Sequence, residues 1–99
     1  MYMKSVVIKT STKPDKKLMA IFTRDGRTKT IHFGAKNMDD YTKTKDKSQR
    51  ARYIARHRKN ESWNSPETAG ALSKHILWGP TTSRQQNIQR FKSRFGYKN

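Results

Sequence analysis

The sequence predicts an α+β fold: an N-terminal three-stranded antiparallel meander followed by three helices, in one small basic domain over residues 1–99. Two observations point to the meander and one to the helices. The first third of the chain is rich in β-branched and alternating apolar residues. An Asp25-Gly26 pair separates two of those runs, the strongest short-range signal of a hairpin. Beyond Gly34 the apolar residues recur at intervals of three and four, the spacing of helix faces.

Residues 3–10 form the first predicted strand, with Val6, Val7 and Ile8 suited to a pleated surface. The following STKPDKK is turn material through Pro14 and Asp15. In the second strand, residues 18–24, Leu18, Ala20 and Phe22 share one face and Met19 and Ile21 the other. Arg24 to Arg27 then make a tight type I′ turn, whose two central residues need positive φ. In the third strand, residues 28–33, Ile31 and Phe33 oppose Thr30 and His32. Residues 35–44 read as a loop, with Met38 and Tyr41 expected to tuck under the fold.

The first helix is predicted over residues 45–59, a stretch without Gly or Pro. Its apolar content is only Ala51, Tyr53, Ile54 and Ala55, enough for a narrow buried seam. The second spans 66–78, with Ser65 as N-cap, Pro66 in the first turn and Glu67 at the positive helix end. Ala69, Leu72 and Ile76 give it a core stripe, and Gly79-Pro80 stops it. The third spans 83–95, capped by Thr82 or Ser83 with Gln85 or Gln86 three residues on. Its stripe is Ile88, Phe91 and Phe95, and Gly96 ends it.

Charge is the strongest global fact. The net charge is +16 and only 31% of residues are apolar, so a small core must hold against strong self-repulsion. A polyanion would relieve that repulsion. The absence of cysteine excludes disulfides and thiolate zinc sites. The longest apolar run, Leu18 to Phe22, is far short of a membrane span, and the N-terminus lacks the apolar core of a secretory signal.

The densest charge lies from Lys43 to Lys59, where Asp46 is the only acid. On a helix Arg52, Arg56 and Lys59 form one row, while Arg50, Ile54, His57 and Arg58 gather near another face. This pattern predicts phosphate contacts from Lys45, Lys47, Arg50, Arg52, Arg56, Arg58 and Lys59. Tyr53 and His57 stand beside them, and Arg90, Lys92 and Arg94 extend the surface. Tyr41 and Tyr53 are candidates for stacking on unpaired bases, whereas Trp63 and Trp78 are expected in the core.

Catalytic constellations are scarce. Asp40 and Glu61 with a metal ion would be the only nuclease-like set. The plainer reading is that Asp39-Asp40 caps or neutralises within its loop and that Glu61 balances nearby cations. His57 and His75 lack the spacing of a metal motif, and no phosphate-binding glycine loop is present.

Three phrases, FGAKNMDDYTKTKDKSQRARYIARHRKNESW, SPETAGALSKHILWG and TTSRQQNIQRFKSRFG, resemble a family of small basic proteins encoded by large nucleocytoplasmic DNA viruses of algae and amoebae. The resemblance covers roughly residues 34–96. It is most distinctive in Tyr53-Ile54-Ala55-Arg56-His57-Arg58, Thr68-Ala69-Gly70-Ala71-Leu72-Ser73 and Ile76-Leu77-Trp78-Gly79. It implies a viral setting, in the virion interior or in the host nucleus or cytoplasm, and carries no catalytic residue across.

The expectation from sequence is therefore a non-catalytic protein without cofactor or metal that coats or condenses DNA, or RNA, through phosphate contacts reading little sequence. The alternative is a structural virion protein, a minor capsid or core component, whose cations meet acidic surfaces of other virion proteins.

Overall fold

The structure, a computed structural model, describes residues 4–59 and 63–98. Strands β1 (Lys4–Thr10), β2 (Lys16–Arg24) and β3 (Arg27–Ala35) form an antiparallel sheet in the order β1-β2-β3. The Asp25-Gly26 turn has φ of 53° and 77°, both in the left-handed region, and Arg24 pairs with Arg27 across it. The fold is α+β, as the pattern of the first third of the chain predicts. β2 and β3 are longer than expected because pairing continues past the apolar residues to Lys16 and Ala35.

One face of the sheet is the core floor. Val6, Ala20, Phe22 and Phe33 are buried there, with Ile8, Leu18 and Ile31 packed at the margins. The chain then enters a segment expected to be a loop. It forms instead a single helical turn, α1 (Tyr41–Thr44), built on Asp40. Asp40 caps this turn by accepting from the Lys43 amide (3.2 Å) and from the Thr42 hydroxyl. The same carboxylate accepts from Lys17 Nζ on β2 (2.6 Å) and from Arg84 Nη2 at the start of the last helix (3.2 Å). Tyr41 is buried as expected, but Met38 is 62% exposed. Asp40 draws its own side of the loop inward, while Met38 lies on a turn closed by its amide bonding to the Ala35 carbonyl.

Helix α2 (Lys47–His57) starts two residues later than predicted. Lys45 has φ of 59° as the C-cap of α1, a conformation that cannot continue a right-handed helix. Asp46 is the N-cap and accepts from the Ser48 and Gln49 amides.

The predicted helix over 66–78 is corrected at both ends. Regular α-helix is confined to α3 (Ala69–Leu72), and the cap is Thr68, not Ser65. Thr68 Oγ1 accepts from the Ala71 amide and donates to the Ser65 carbonyl, so Ser65 to Glu67 form the approach to the helix. From Ser73 to Leu77 the helix widens into a π turn, marked by the Trp78 amide bonding to the Ser73 carbonyl. Four consecutive residues, His75 to Trp78, are buried there, because β3 packs on one side and the last helix on another. Gly34 of β3 permits this approach, since a Cβ would stand 2.6 Å from Leu77 Cδ1.

The last helix, α4 (Arg84–Phe95), matches its predicted span. Ser83 accepts from the Gln86 amide, but its own amide goes to Thr81 Oγ1, so the reciprocal half of the capping box is taken over by Thr81. Asn87 is fully buried with both ends of its amide satisfied. Its Nδ2 donates to the Ile76 and Thr81 carbonyls, and its Oδ1 accepts from the Thr81 amide and hydroxyl. Phe91 is the buried anchor of the helix, while Ile88 and Phe95 are only partly buried. Beyond Gly96, Tyr97 stacks on Phe91 (5.8 Å, 6°) and also meets Phe22. The Lys98 amide bonds to the Lys4 carbonyl, which returns the chain end to the edge of β1. Among the described residues no helix is long and apolar enough to cross a membrane.

Phe91→Ala removes a ring wedged among Phe95, Tyr97 and His75, and should lower unfolding free energy by about 3–5 kcal/mol in urea titration. Unchanged stability would show that α4 does not pack through Phe91.

Asp40→Asn should cost on the order of 3 kcal/mol, because Lys17, whose side chain is only 10% exposed, loses its counter-charge. Burial pushes the Asp40 carboxyl up, but bonds from Lys17 and Thr42 and the charges of Lys17 and Arg84 outweigh it, so the group lies below the ordinary aspartate range. Its stabilising contribution is therefore complete above the unfolded value of about 3.9 and declines as pH falls through the lower native value. Acid unfolding of Asp40→Asn should have a shallower pH dependence in that window than that of the parent protein.

Candidate nucleic-acid interface

Helix α2 divides its residues between two tasks. On its inner seam Tyr53 is buried and stacks on Trp78 at 4.3 Å with planes 6° apart. His57 packs on the same tyrosine at 4.3 Å and is half-buried. Arg50 Nε donates to the Trp78 (3.1 Å) and Gly79 (2.8 Å) carbonyls, and its guanidinium lies 5.7 Å from the centre of the Tyr41 ring. Carbonyls at the end of a helical segment have no downstream amide partner, so Arg50 caps the π turn from a neighbouring helix.

Tyr53 and Tyr41 are thus packing residues, and neither presents an exposed ring face to a base. This corrects the placing of Tyr53 among the nucleic-acid contacts. Periodicity assigns it to the seam but cannot show that Trp78, distant in sequence, covers it. Trp78 lies in the core as expected. Trp63 is only half-buried, with Lys74 Nζ 5.2 Å from its ring centre.

The outward surface carries Lys45, Lys47, Arg52, Arg56, Arg58 and Lys59, all exposed. None of these six forms an ion pair among the described residues. Arg52 and Arg56 stand one turn apart and, with Gln49, border a shallow hollow beside Asn37, Met38 and Asp39. Lys59 lies past the end of α2, so the predicted row of three is a helical pair plus a turn residue.

The acids are mostly engaged elsewhere. Asp39 meets Lys43 (3.5 Å), Asp46 caps α2, and Asp40 is enclosed by Lys17 and Arg84. Glu67 faces Arg24 (3.7 Å) and Lys29 (3.9 Å) across a hollow of about 1100 Å³, which Asp25 also lines. That hollow is partly charge-compensated, with Asp25 and Glu67 set against Lys4, Arg24, Arg27 and Lys29. Asp40 takes the capping and neutralising part that the sequence suggests, and Glu61 lies outside the described residues. Among the described residues no group of three or more His, Cys, Asp or Glu side chains is placed to hold a metal ion.

A second basic surface is assembled from separate parts of the chain. Arg50, Lys74, Arg90 and Arg94 converge on a cleft of about 660 Å³ between α2, the π turn and α4. Gln86, Gln89 and Ser93 add neutral polar groups; His75, Phe91 and Pro80 contribute the less polar wall, and no acid lines it among the described residues. Lys92, on the opposite side of α4 from Arg90, is half-buried and does not take part. Burial, followed by the charges of Arg50 and Arg94, holds the Lys74 amine below the ordinary lysine value. Burial also depresses His75, only partly countered by the bond from its Nε2 to the Trp63 carbonyl (2.9 Å), while Lys74 and Arg94 depress it further. The ring is therefore neutral at physiological pH.

Lys74 is absent from the sequence-predicted contacts. It is an isolated lysine in an apolar stretch, and its sequence neighbours do not disclose that Arg50 and Arg94 face it.

A family described as a family of unknown function (DUF5754) matches residues 6–57, just over half of the chain. The match takes in most of β1, all of β2 and β3, α1 and α2, and stops before the segments that complete the cleft. No curated protein and no solved structure matches the chain. The chain belongs to this family of unknown function, DUF5754, through its sheet and its basic helix.

Proposed function

We propose that the protein binds nucleic acid, DNA ahead of RNA, without catalysis and through phosphate contacts that read little sequence. The observation that carries this is the outward surface around α2. Its six exposed cations form no ion pair among the described residues, in a chain whose acids are otherwise largely engaged. Arginine forks grip phosphate oxygens and lysines add point charge, so such a surface gains affinity from backbone contacts and from released counterions. The resemblance to small basic proteins of large DNA viruses implies only a viral setting; the basic surface is what supports coating or condensing viral DNA there, in the virion or the infected host cell.

A second reading is a structural virion protein that meets acidic protein surfaces with the same cations. Exposed Met38 beside Arg52 and Arg56 favours it, since an apolar contact is of little use to a phosphate. Nucleic acid that copurifies and is released at high salt supports the first reading. A preparation free of nucleic acid that binds no duplex at low salt removes it.

Replacing Arg52, Arg56 and Lys59 together with Ala should weaken binding to all duplex sequences alike. The slope of log K against log salt should shrink by roughly 0.9 for each phosphate that the variant no longer neutralises. Thermal stability should be nearly unchanged, because these side chains are exposed. Wild-type affinity and slope in the triple variant would remove this surface from the binding account.

A further inference from the structure

We propose that the cleft between α2, the π turn and α4 is a built phosphate site whose occupant is the nucleic-acid backbone. This inference rests on the nucleic-acid reading above for its occupant and adds where the tightest contact lies. Arg50, Lys74, Arg90 and Arg94 reach the cleft from three elements, and no acid lines it among the described residues. Converging like charges is unfavourable in the unbound protein. Elsewhere the chain relieves crowded cations with a carboxylate: Asp40 sits between Lys17 and Arg84, and Glu67 between Arg24 and Lys29. In the cleft no described residue supplies that neutralising group, which is the part we assign to a ligand.

Three of the four cations have protein contacts that hold them. Arg50 is fixed by the Trp78 and Gly79 carbonyls, Arg94 Nη2 donates to Asn64 Oδ1 (3.3 Å), and Lys74 lies over Trp63. Side chains already positioned lose less freedom on binding than mobile surface lysines do. The walls contributed by Phe91, Pro80 and neutral His75 concentrate the field of the cations. Gln86, Gln89 and Ser93 can donate to phosphate oxygens that the cations leave open. The exposed Arg52-Arg56 surface has the charge without this enclosure. The depressed Lys74 amine fits the same picture, since an anion in the cleft would draw it back toward its proton.

The test uses the full chain, with a short DNA duplex and inorganic tripolyphosphate as probes. In the wild-type protein, Lys74 modification by an amine-acylating reagent is followed by peptide mass spectrometry with and without each probe. Affinity for the duplex is then compared between Lys74→Gln/Arg90→Gln and Arg52→Gln/Arg56→Gln, which remove the same charge from different places. The expected result is protection of Lys74 by both probes, and a loss of duplex affinity roughly tenfold greater for the cleft pair than for the surface pair. Equal losses for the two pairs would overturn the site, since a general field would then account for binding. Duplex binding that leaves Lys74 fully reactive would also overturn it, while the nucleic-acid function stands. Protection by tripolyphosphate in a protein that binds no duplex would overturn the nucleic-acid occupant together with the function proposed above. The protection measurement requires no substitution, so it decides the matter even if the cleft pair destabilises the fold.

Discussion

The buried Asp40 carboxylate joins the sheet, the turn after it and the last helix. A chain of net charge +16 repels itself when compact, and its sheet and helices bring many cations close. Asp40 is 1% exposed and touches three elements at once: it caps α1, takes the Lys17 ammonium from β2 and takes the Arg84 guanidinium from α4. Arg84 Nε also donates to Thr42, so the turn after the sheet and the start of the last helix share one hydrogen-bonded cluster. Such a buried cluster need not exceed apolar packing in net stability. Its effect here is geometric, because it ties the start of α4 to β2 and to the α1 turn.

The π turn raises a second satisfaction problem, solved from outside itself. Its last carbonyls would be buried without partners at the foot of α4. Asn87 takes the Ile76 carbonyl, and Arg50 takes those of Trp78 and Gly79. The fit around Gly79 is close enough that a Cβ would collide with the His75 carbonyl oxygen. Arg50 thus links structure to surface. The charge that ties α2 to the π turn also lines the cleft, and this arrangement separates the cleft cations from the exposed cations on the outer side of α2.

Much of the architecture was legible in the sequence because its determinants are local. Alternation gave the strands, Asp25-Gly26 the hairpin, and the stripe around Phe91 the last helix. The exposure of Arg52 and Arg56 also followed from helical periodicity. The less legible parts all depend on distant partners. Ser65-Pro66 had the composition of a helix start, yet Thr68 became the cap. The sequence cannot show that enclosure by β3 and α4 would widen the helix into a π turn. Met38 and Tyr41 looked alike as loop hydrophobes, and the anchoring of Asp40 sent only Tyr41 inward.

The sequence by itself determined the sign and density of charge, the order of strands before helices, and the face of α2 left to solvent. Each depends on composition or on a period of a few residues. Only the tertiary structure decided which cations meet. It tied Arg50 to the π-turn carbonyls, buried Tyr53 against Trp78, and set Lys74 beside Arg50 and Arg94. Those neighbours are far apart along the chain, and what joins them is the need to satisfy buried carbonyls and fill a small core.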